Sequence, residues 1–360
     1  MFSWEDVTVL GRTRLADAGE LCIFWSGSGI AFRFRGEKLA LLLSSQGAMR
    51  APWIAVEIDG EVMSRFPVPE GDSCFPVLEG TASEQEHTVR VIRETQPMSD
   101  SPQARLCIRG LEVHGEVHPI SRGLQLTFIG DSLTSGEGAI GPVMEQDWIP
   151  TWFSAMHTYA FQTADLLGAQ CQIISQSGWG LRCGWDNHPD HTLPSIYDAA
   201  CAIASWDEKW DFAAHPMDAV IVNLGTNDDG AFHQPPYVDP VSGETFQNKL
   251  LADGSYDEAC LQAIMDAQVS FLRHLRELHP TAYLFWCYGM IGHNLEACLE
   301  AGVRRYSEES GDTRVRYLSL PETAQEDYGA RAHPGSEAHR KVAAFLAREM
   351  EFLSKGDGEA

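Results

Sequence analysis

The stretch LTFIGDSLTSGEG, residues 126–138, decides the fold of this chain. An apolar, strand-like run ends at Gly130, Asp131 and Ser132, and more small residues follow. Two interpretations of this ending stay open when it is taken alone. Either the chain makes a tight turn that requires small side chains, or a nucleophilic serine is held at the edge of a sheet.

The sequence after Ser121 alternates between strand-like and helical patterns. Apolar runs occupy residues 124–129, 171–175, 219–224, 283–288 and 315–318. Residues 257–278 repeat apolar side chains at helical spacing, and Pro280 blocks continuation of that helix. Alternating strands and helices predict right-handed crossovers and a parallel sheet covered on both faces. Functional groups in such sheets collect beyond the carboxyl ends of the strands.

The sequence before this region alternates with a period of two, which is typical of strands. Ile30, Phe32 and Phe34 face one way, and Asp59 with Gly60 offers a hairpin turn. Many short strands with turn signals between them predict a β-sandwich of the jelly-roll type. We place the boundary in the segment VHGEVHPISRG, which gives a carbohydrate-binding-like β-sandwich domain at residues 1–118 and a catalytic α/β domain at residues 119–360.

Each predicted crossover delivers a small or polar residue to the same edge of the parallel sheet. Ser132 follows the first strand, the loop QSGWG follows the second, and Asn227 of GTND follows the third. A late loop brings His333 to the start of the last helix. Acyl transfer needs such a set, because a serine attacks an ester carbonyl when a histidine takes its proton. The oxyanion that forms needs donors already in place, which the Ser132 N–H, a glycine N–H and the Asn227 side chain would supply.

These blocks resemble the SGNH hydrolases, also called the GDSL family. The Ser, Gly, Asn and His of that family match Ser132, Gly180, Asn227 and His333. Gly180 is preferred over Gly178 because the family's glycine lies further past the end of the second strand. The resemblance implies a flavodoxin-like α/β/α domain with a five-stranded parallel sheet. It also implies Ser132 and His333 as catalytic residues, with Ser132, Gly180 and Asn227 forming the oxyanion hole.

A β-sandwich followed by an SGNH domain is the layout of carbohydrate esterase family two. The segments WSGSGIAFRF, SGWG and TLPSIYD look like segments of that family, so the resemblance covers nearly the whole chain. It implies a serine esterase that removes O-acetyl groups from plant-polysaccharide-derived xylo- or manno-oligosaccharides through an acetyl-Ser132 intermediate, without a cofactor. A GDSL-type lipase or thioesterase, and an inactive carbohydrate-binding protein, stay open as alternatives.

The group that orients His333 has two candidates. The wider superfamily places an Asp three residues before the histidine, and Ala330 stands there in this chain. Family two esterases often use a Ser–His pair steadied by a backbone carbonyl, which the resemblance implies here. Asp327, six residues before His333, stays open as a substitute.

Aromatic residues beside the predicted glycine loop are candidates for sugar stacking. Trp179 and Trp185 flank Gly180, and aromatic faces suit the apolar faces of hexose rings. The neighbouring segment DNHPDH, residues 186–191, contains two His and two Asp. Its spacing fits no zinc signature, so we predict no metal site.

Composition bears on partners and location. The formal net charge of −25 disfavours nucleic acids and anionic membranes and favours a neutral substrate. No stretch has the length and apolar character of a membrane span, and the N-terminus has no secretory signal pattern. The nine cysteines form no CxxC pair, and several, including Cys22, lie in apolar runs. We therefore expect reduced thiols and a cytoplasmic protein.

Overall fold

The computed structural model describes residues 2–80 and 84–354, and its first part is antiparallel and rich in sheet. Within these described residues, nine strands form one hydrogen-bonded network: β1 (Thr8–Leu10), β2 (Thr13–Leu15), β3 (Leu21–Ile23), β4 (Gly29–Gln46), β5 (Trp53–Ile58), β6 (Glu61–Pro67), β7 (Gly71–Glu79), β8 (Glu86–Arg93) and β9 (Arg105–Pro119). The main strand order is β2-β3-β9-β4-β8-β5-β6, and β1 and β7 also pair with β4.

The two longest strands, β4 and β9, turn this network into a sandwich. They pair over most of their length, but the other neighbour of β4 is β8 before Gly36 and β7 after it. Gly36 lies opposite Gly115 at this change of neighbour, and a Cβ atom on Gly36 would lie 2.3 Å from the carbonyl oxygen of His114. Apolar residues from both ends of β4, including Phe32 and Leu41, pack into one core. The predicted β-sandwich is therefore confirmed.

The second part alternates strands with helices, as the sequence predicts. Its strands are β10 (Gln125–Gly130), β11 (Gln170–Ser175), β12 (Ala199–Cys201), β13 (Trp206–Lys209), β14 (Ala219–Asn223), β15 (Tyr237–Val238), β16 (Thr245–Phe246), β17 (Tyr283–Tyr288) and β18 (Val315–Ser319). Five of them form a parallel sheet in the order β11-β10-β14-β17-β18, whereas β12 with β13 and β15 with β16 form separate two-stranded ribbons. The five-stranded order is flavodoxin-like, which confirms the predicted fold class.

Helices cover this sheet. They are α1 (Ser132–Ser135), α2 (Tyr159–Leu166), α3 (Leu193–Ile196), α4 (Thr226–Ala231), α5 (Glu258–Leu278), α6 (Glu296–Ser310) and α7 (Ser336–Glu349). Short 3₁₀ helices occupy Trp4–Asp6, Pro150–Trp152, Ala202–Ala204, Gln325–Asp327, Ala330–Ala332 and Glu351–Ser354. Among the residues described, no helix combines the length and the apolar character needed to cross a bilayer.

The parallel sheet brings the predicted loops to one edge. Strands β10, β11 and β14 are in register and end at Gly130, Ser175 and Asn223. The segments that follow them therefore start side by side and carry the candidate site residues. Strand β9 ends at Pro119 and β10 begins at Gln125, so the predicted domain boundary falls at the end of β9.

The two parts of the chain pack directly against each other. Arg12, from the sandwich, is fully buried, and its guanidinium donates hydrogen bonds to Gln172 Oε1 and to the carbonyl oxygens of Tyr197 and Ala199. It also lies 4.5 Å above the Tyr197 ring and 5.0 Å above the Phe212 ring. Burial lowers the pKa of Arg12, but its polar and aromatic partners favour the charged form.

One expectation about the cysteines is wrong. Cys22 on β3 and Cys107 on β9 are paired residues of neighbouring strands and form a disulfide. The sequence places them 85 residues apart, so their spacing gave no sign of this pairing. A disulfide is more typical of oxidising compartments, and a cytoplasmic location stays a prediction.

We predict that only the other seven cysteines of the protein react with a thiol reagent after denaturation without reductant. Reduction should expose all nine and lower the free energy of unfolding by about 2–4 kcal/mol, because the cross-link restricts the unfolded chain. Intact-mass analysis after alkylation and urea unfolding with and without reductant measure both effects. Alkylation of nine cysteines in unreduced protein would contradict the pairing.

Candidate active site

Ser132 lies at the first position of α1, immediately after β10. The carboxylate of Asp131 caps this short helix by accepting a hydrogen bond of 3.0 Å from the Leu133 N–H. Gly130 allows the tight turn, because a Cβ atom there would lie 2.0 Å from Thr134 Oγ1. Small residues are therefore required by packing, and the same turn presents Ser132 to a surface cleft.

His333 meets Ser132 from the loop that precedes α7. Its Nε2 atom lies 2.9 Å from Ser132 Oγ, and its Nδ1 atom lies 2.8 Å from the carbonyl oxygen of Arg331. A carbonyl oxygen can only accept, so Nδ1 carries the hydrogen and donates it to Arg331. In the neutral form of the ring, Nε2 then has a free lone pair directed at the Ser132 hydroxyl.

Asp327 does not take part in this arrangement. Its carboxylate accepts a hydrogen bond of 2.5 Å from the ammonium group of Lys341, on α7. Its carbonyl oxygen accepts from the Gly335 N–H at 2.7 Å, so this residue helps to fix the loop before α7. The geometry favours the backbone carbonyl of Arg331 over Asp327 as the group that orients His333, because the Asp327 carboxylate contacts Lys341 and not the ring.

An ion pair between Arg331 and Glu137, which the sequence analysis missed, supports the carbonyl group of Arg331. Arg331 and Ala332 have φ values of 58° and 54°, a left-handed conformation that is strained for residues other than glycine. Arg331 Nε donates at 2.6 Å to Glu137 Oε1, and Glu137 is only 2% exposed. The same carboxylate oxygen lies 4.0 Å from His333 Nε2. The sequence signal for Glu137 was that it is a single acidic residue among small ones, in the segment SGEGA.

Asn227 reaches the same cleft from α4, with its amide already hydrogen-bonded. Nδ2 donates to the carbonyl oxygen of Trp179 at 2.9 Å and to Asp131 Oδ2 at 3.2 Å. Both contacts fix the amide, and Asn227 lines the same cleft as Ser132. A substrate oxygen would have to share or replace the longer of these two hydrogen bonds.

The structure contradicts the prediction that Gly180 supplies an oxyanion donor. Its N–H is donated to the carbonyl oxygen of His191 at 3.1 Å, and the residue does not line the cleft. Gly178 does line it, and the Gly178 N–H donates to none of the residues that the structure describes. Gly178 has a φ of +79°, and a Cβ atom there would lie 3.0 Å from Trp185 Cδ1, so glycine is needed.

Two buried carboxylates are sequence neighbours of site residues: Asp131 precedes Ser132, and Asp228 follows Asn227. Burial raises the pKa of Asp131 to about 7, although its hydrogen bond from Leu133 acts in the opposite direction. Burial also raises the pKa of Asp228, whose oxygens accept from the N–H groups of Leu181 and Arg182 at 2.8 and 2.7 Å. Both acids hold backbone segments in place, which is a structural task.

The cleft has a volume of about 550 Å³ and an aromatic wall. It is lined by Ser99, Ser132, Glu137, Trp148, Ser177, Gly178, Trp179, Trp185, Asp186, His191, Asn227, Arg331 and His333. Trp185 is 51% exposed, whereas Trp179 stacks on His191 with ring centroids 4.9 Å apart. Both predicted tryptophans thus lie at the cleft, and sugar stacking by them stays a prediction.

The histidines of the segment 186–191 belong to an aromatic stack. The rings of His188 and His191 are parallel and 3.9 Å apart, and His191 in turn stacks on Trp179. Across residues 2–80 and 84–354, no group of three or more His, Cys, Asp or Glu side chains is placed to hold a metal ion.

Comparison with known proteins identifies the family. A family model described as carbohydrate esterase 2 N-terminal matches residues 9–120. The chain is also 35% identical to the acetyl xylan esterase Est2A of the rumen bacterium Butyrivibrio proteoclasticus, with a TM-score of 0.94 and coverage of 97% of this chain and 96% of that chain. The chain belongs to carbohydrate esterase family 2.

Two curated relatives carry esterase names. The chain is 24% identical to the cellulase/esterase CelE of Acetivibrio thermocellus over 94% of its own length, and it spans 38% of that protein. It is 24% identical to an acetylxylan esterase / glucomannan deacetylase of Cellvibrio japonicus over 96% of its length and 87% of that protein. These names confirm the predicted enzyme class, a carboxylic ester hydrolase.

We predict that Asp327→Asn leaves kcat of this family 2 chain nearly unchanged, because its carboxylate faces Lys341 and not His333. Esterase kinetics on a chromogenic acetate ester, together with a melting curve, test this. A loss of up to roughly 10⁴-fold, as when a triad acid is replaced, would show that Asp327 orients the ring after all.

We predict the opposite for Glu137→Gln. Arg331 would lose its buried ionic partner, the strained carbonyl would shift, and kcat should fall by about 10- to 100-fold with little change in KM. Glu337→Gln is the matched control, because it breaks an exposed pair with Arg340 on α7 and should leave kcat unchanged. Equal kcat values for the two variants would show that Glu137 does not help to position the Arg331 carbonyl.

Proposed function

We propose that this chain is a serine esterase that removes O-acetyl groups from plant-polysaccharide-derived oligosaccharides, with xylo- or manno-oligosaccharides as the substrate class. One observation carries the proposal. His333 Nε2 lies 2.9 Å from Ser132 Oγ while Nδ1 is anchored on the carbonyl oxygen of Arg331, and the pair opens into a tryptophan-lined cleft. A hydroxyl held against an unprotonated imidazole nitrogen is the arrangement that acyl transfer requires.

Acylation begins with attack of Ser132 Oγ on the acetyl carbonyl carbon. His333 Nε2 takes the hydroxyl proton, and the carbonyl oxygen becomes an oxyanion facing the N–H groups of Ser132 and Gly178 and the amide of Asn227. The ester C–O bond then breaks, and His333 returns the proton to the departing sugar oxygen. The sugar leaves with a free hydroxyl, and acetyl-Ser132 remains.

Deacylation repeats the sequence with water. A water molecule attacks the acetyl-Ser132 carbonyl as His333 Nε2 takes one of its protons, and the same donors hold the second oxyanion. Collapse of this intermediate breaks the bond to Ser132 Oγ, and His333 returns a proton to that oxygen. Acetic acid is released and then ionises to acetate. Every bond and proton is accounted for by these residues and water, so the proposed reaction uses no cofactor.

The substrate class is supported by the cleft and by the named relatives. Trp148, Trp179 and Trp185 offer flat apolar surfaces that suit sugar rings, and the net charge of −25 suits a neutral oligosaccharide. The similar proteins carry the names acetyl xylan esterase and acetylxylan esterase / glucomannan deacetylase. Nucleic acids and anionic membranes stay unfavourable partners on grounds of charge.

We predict that the protein hydrolyses 4-nitrophenyl acetate much faster than the octanoate ester and releases acetate from acetylated xylo- or manno-oligosaccharides. Ser132→Ala should lose several orders of magnitude in kcat while its melting curve stays close to that of the wild type. Ser195→Ala, a serine whose hydroxyl donates to the Thr192 carbonyl outside the cleft, is the control.

Two outcomes would redirect the proposal. Preference for octanoate would favour a lipase or thioesterase over a carbohydrate deacetylase. Equal activity in Ser132→Ala and the wild type would refute the serine mechanism. Mass spectrometry of the oligosaccharide products identifies the sugar and the hydroxyl position that is deacetylated.

A further inference from the structure

Gln96, a residue of the sandwich part, contacts Ser135 and the cleft-lining Ser177 beside the candidate active site. It follows β8 and is fully buried. Its Oε1 atom accepts hydrogen bonds from Ser135 Oγ at 2.6 Å, Ser177 N at 2.9 Å and Ser177 Oγ at 3.1 Å. One side-chain oxygen therefore holds two separate segments of the α/β part.

These two segments carry the backbone donors of the oxyanion hole in the function proposed above. Ser135 is the last residue of α1, the single turn that begins with Ser132. Ser177 directly precedes Gly178, whose N–H is free of partners among the described residues. The distance between the Ser132 and Gly178 N–H groups therefore depends on the position of Gln96 Oε1.

Hydrogen bonds within the sandwich part hold the backbone of Gln96 in place. Arg93, at the end of β8, is buried and donates to the carbonyl oxygens of Ile23, Thr95 and Gln96. Ser26 Oγ provides a second contact between the sandwich and α1, because it donates a hydrogen bond of 3.2 Å to the Ser135 carbonyl oxygen. The Gln96 side chain is thus fixed to the sandwich core through its own backbone.

The nitrogen and the oxygen of the Gln96 amide differ in their hydrogen-bond partners. Nε2 is buried and has no hydrogen-bond partner within the described part of the chain, whereas Oε1 has three. All three hydrogen bonds of this amide therefore depend on its acceptor oxygen. A carboxylate could replace this amide without losing the three hydrogen bonds.

We propose that Gln96 is a positioning residue that sets the spacing of the oxyanion hole, so that the sandwich is an integral part of the catalytic site. This inference rests on the proposed function. Oxyanion donors act on the transition state more than on the bound substrate, so loss of their alignment lowers kcat and leaves KM nearly unchanged.

The experiment uses the full chain and three variants. Gln96→Met removes the acceptor at similar volume, Gln96→Glu keeps it, and Gln172→Met is the matched control. Gln172 is also a buried glutamine whose Oε1 accepts a hydrogen bond across the two parts, from Arg12, but it lies outside the cleft. Melting curves first establish that each variant is folded.

Two readouts are compared: kcat and KM on 4-nitrophenyl acetate, and the rate at which a fluorophosphonate probe labels the enzyme. In labelling, the serine oxygen bonds to phosphorus, fluoride leaves, and the imidazole takes the proton. Gln96→Met should lower kcat and the labelling rate together by about 10- to 100-fold. Gln96→Glu should recover most of both, and Gln172→Met should behave like the wild type.

The outcomes separate this inference from the proposed function. Wild-type rates in folded Gln96→Met, or an equal loss in Gln172→Met, would overturn the role of Gln96. A wild-type protein without esterase activity would overturn the proposed function, and the labelling rates would still decide whether Gln96 aligns the serine site. If Gln96→Met does not fold, Ser135→Ala removes one donor to Gln96, and an unchanged labelling rate there would overturn the inference.

Discussion

The hydrogen bond from His333 Nδ1 to the carbonyl oxygen of Arg331 is the constraint on which the proposed chemistry depends. A carbonyl can only accept, so this bond fixes the tautomer and leaves Nε2 to face Ser132. The backbone carbonyl of Arg331 thus orients the His333 ring, a role that an acidic side chain has in a catalytic triad. The backbone conformation at Arg331 is strained, and the buried carboxylate of Glu137 compensates by binding the Arg331 guanidinium.

Sequence reasoning found the parts of the site that topology determines. The alternation of strands and helices predicts a parallel sheet, whose strand ends bring Ser132, Asn227 and His333 to one edge. The resemblance to the SGNH hydrolases predicts the roles of these residues. Spacing could not tell that the N–H of Gly180 is used within its own loop. Likewise, nothing local to Cys22 indicates its pairing across the sheet, because the partner strand is set only by the folded sandwich.

The sandwich and the α/β part depend on each other through buried polar contacts. Arg12 lies among aromatic rings of the α/β part, and Gln96 joins the two segments that flank the serine. Such contacts follow no sequence motif, since a single Arg or Gln in a strand-rich region looks like an ordinary surface residue until its burial is known.

The position of the hydrogen on the His333 ring is the most direct test of orientation by the Arg331 carbonyl. ¹⁵N-labelled histidine, observed by NMR near neutral pH and assigned by comparison with His333→Gln, reports which ring nitrogen carries the hydrogen. We predict a ring that carries its hydrogen on Nδ1, with Nε2 unprotonated toward Ser132. A ring protonated at Nε2 alone would contradict this prediction, because the nitrogen facing the serine could not then accept its proton.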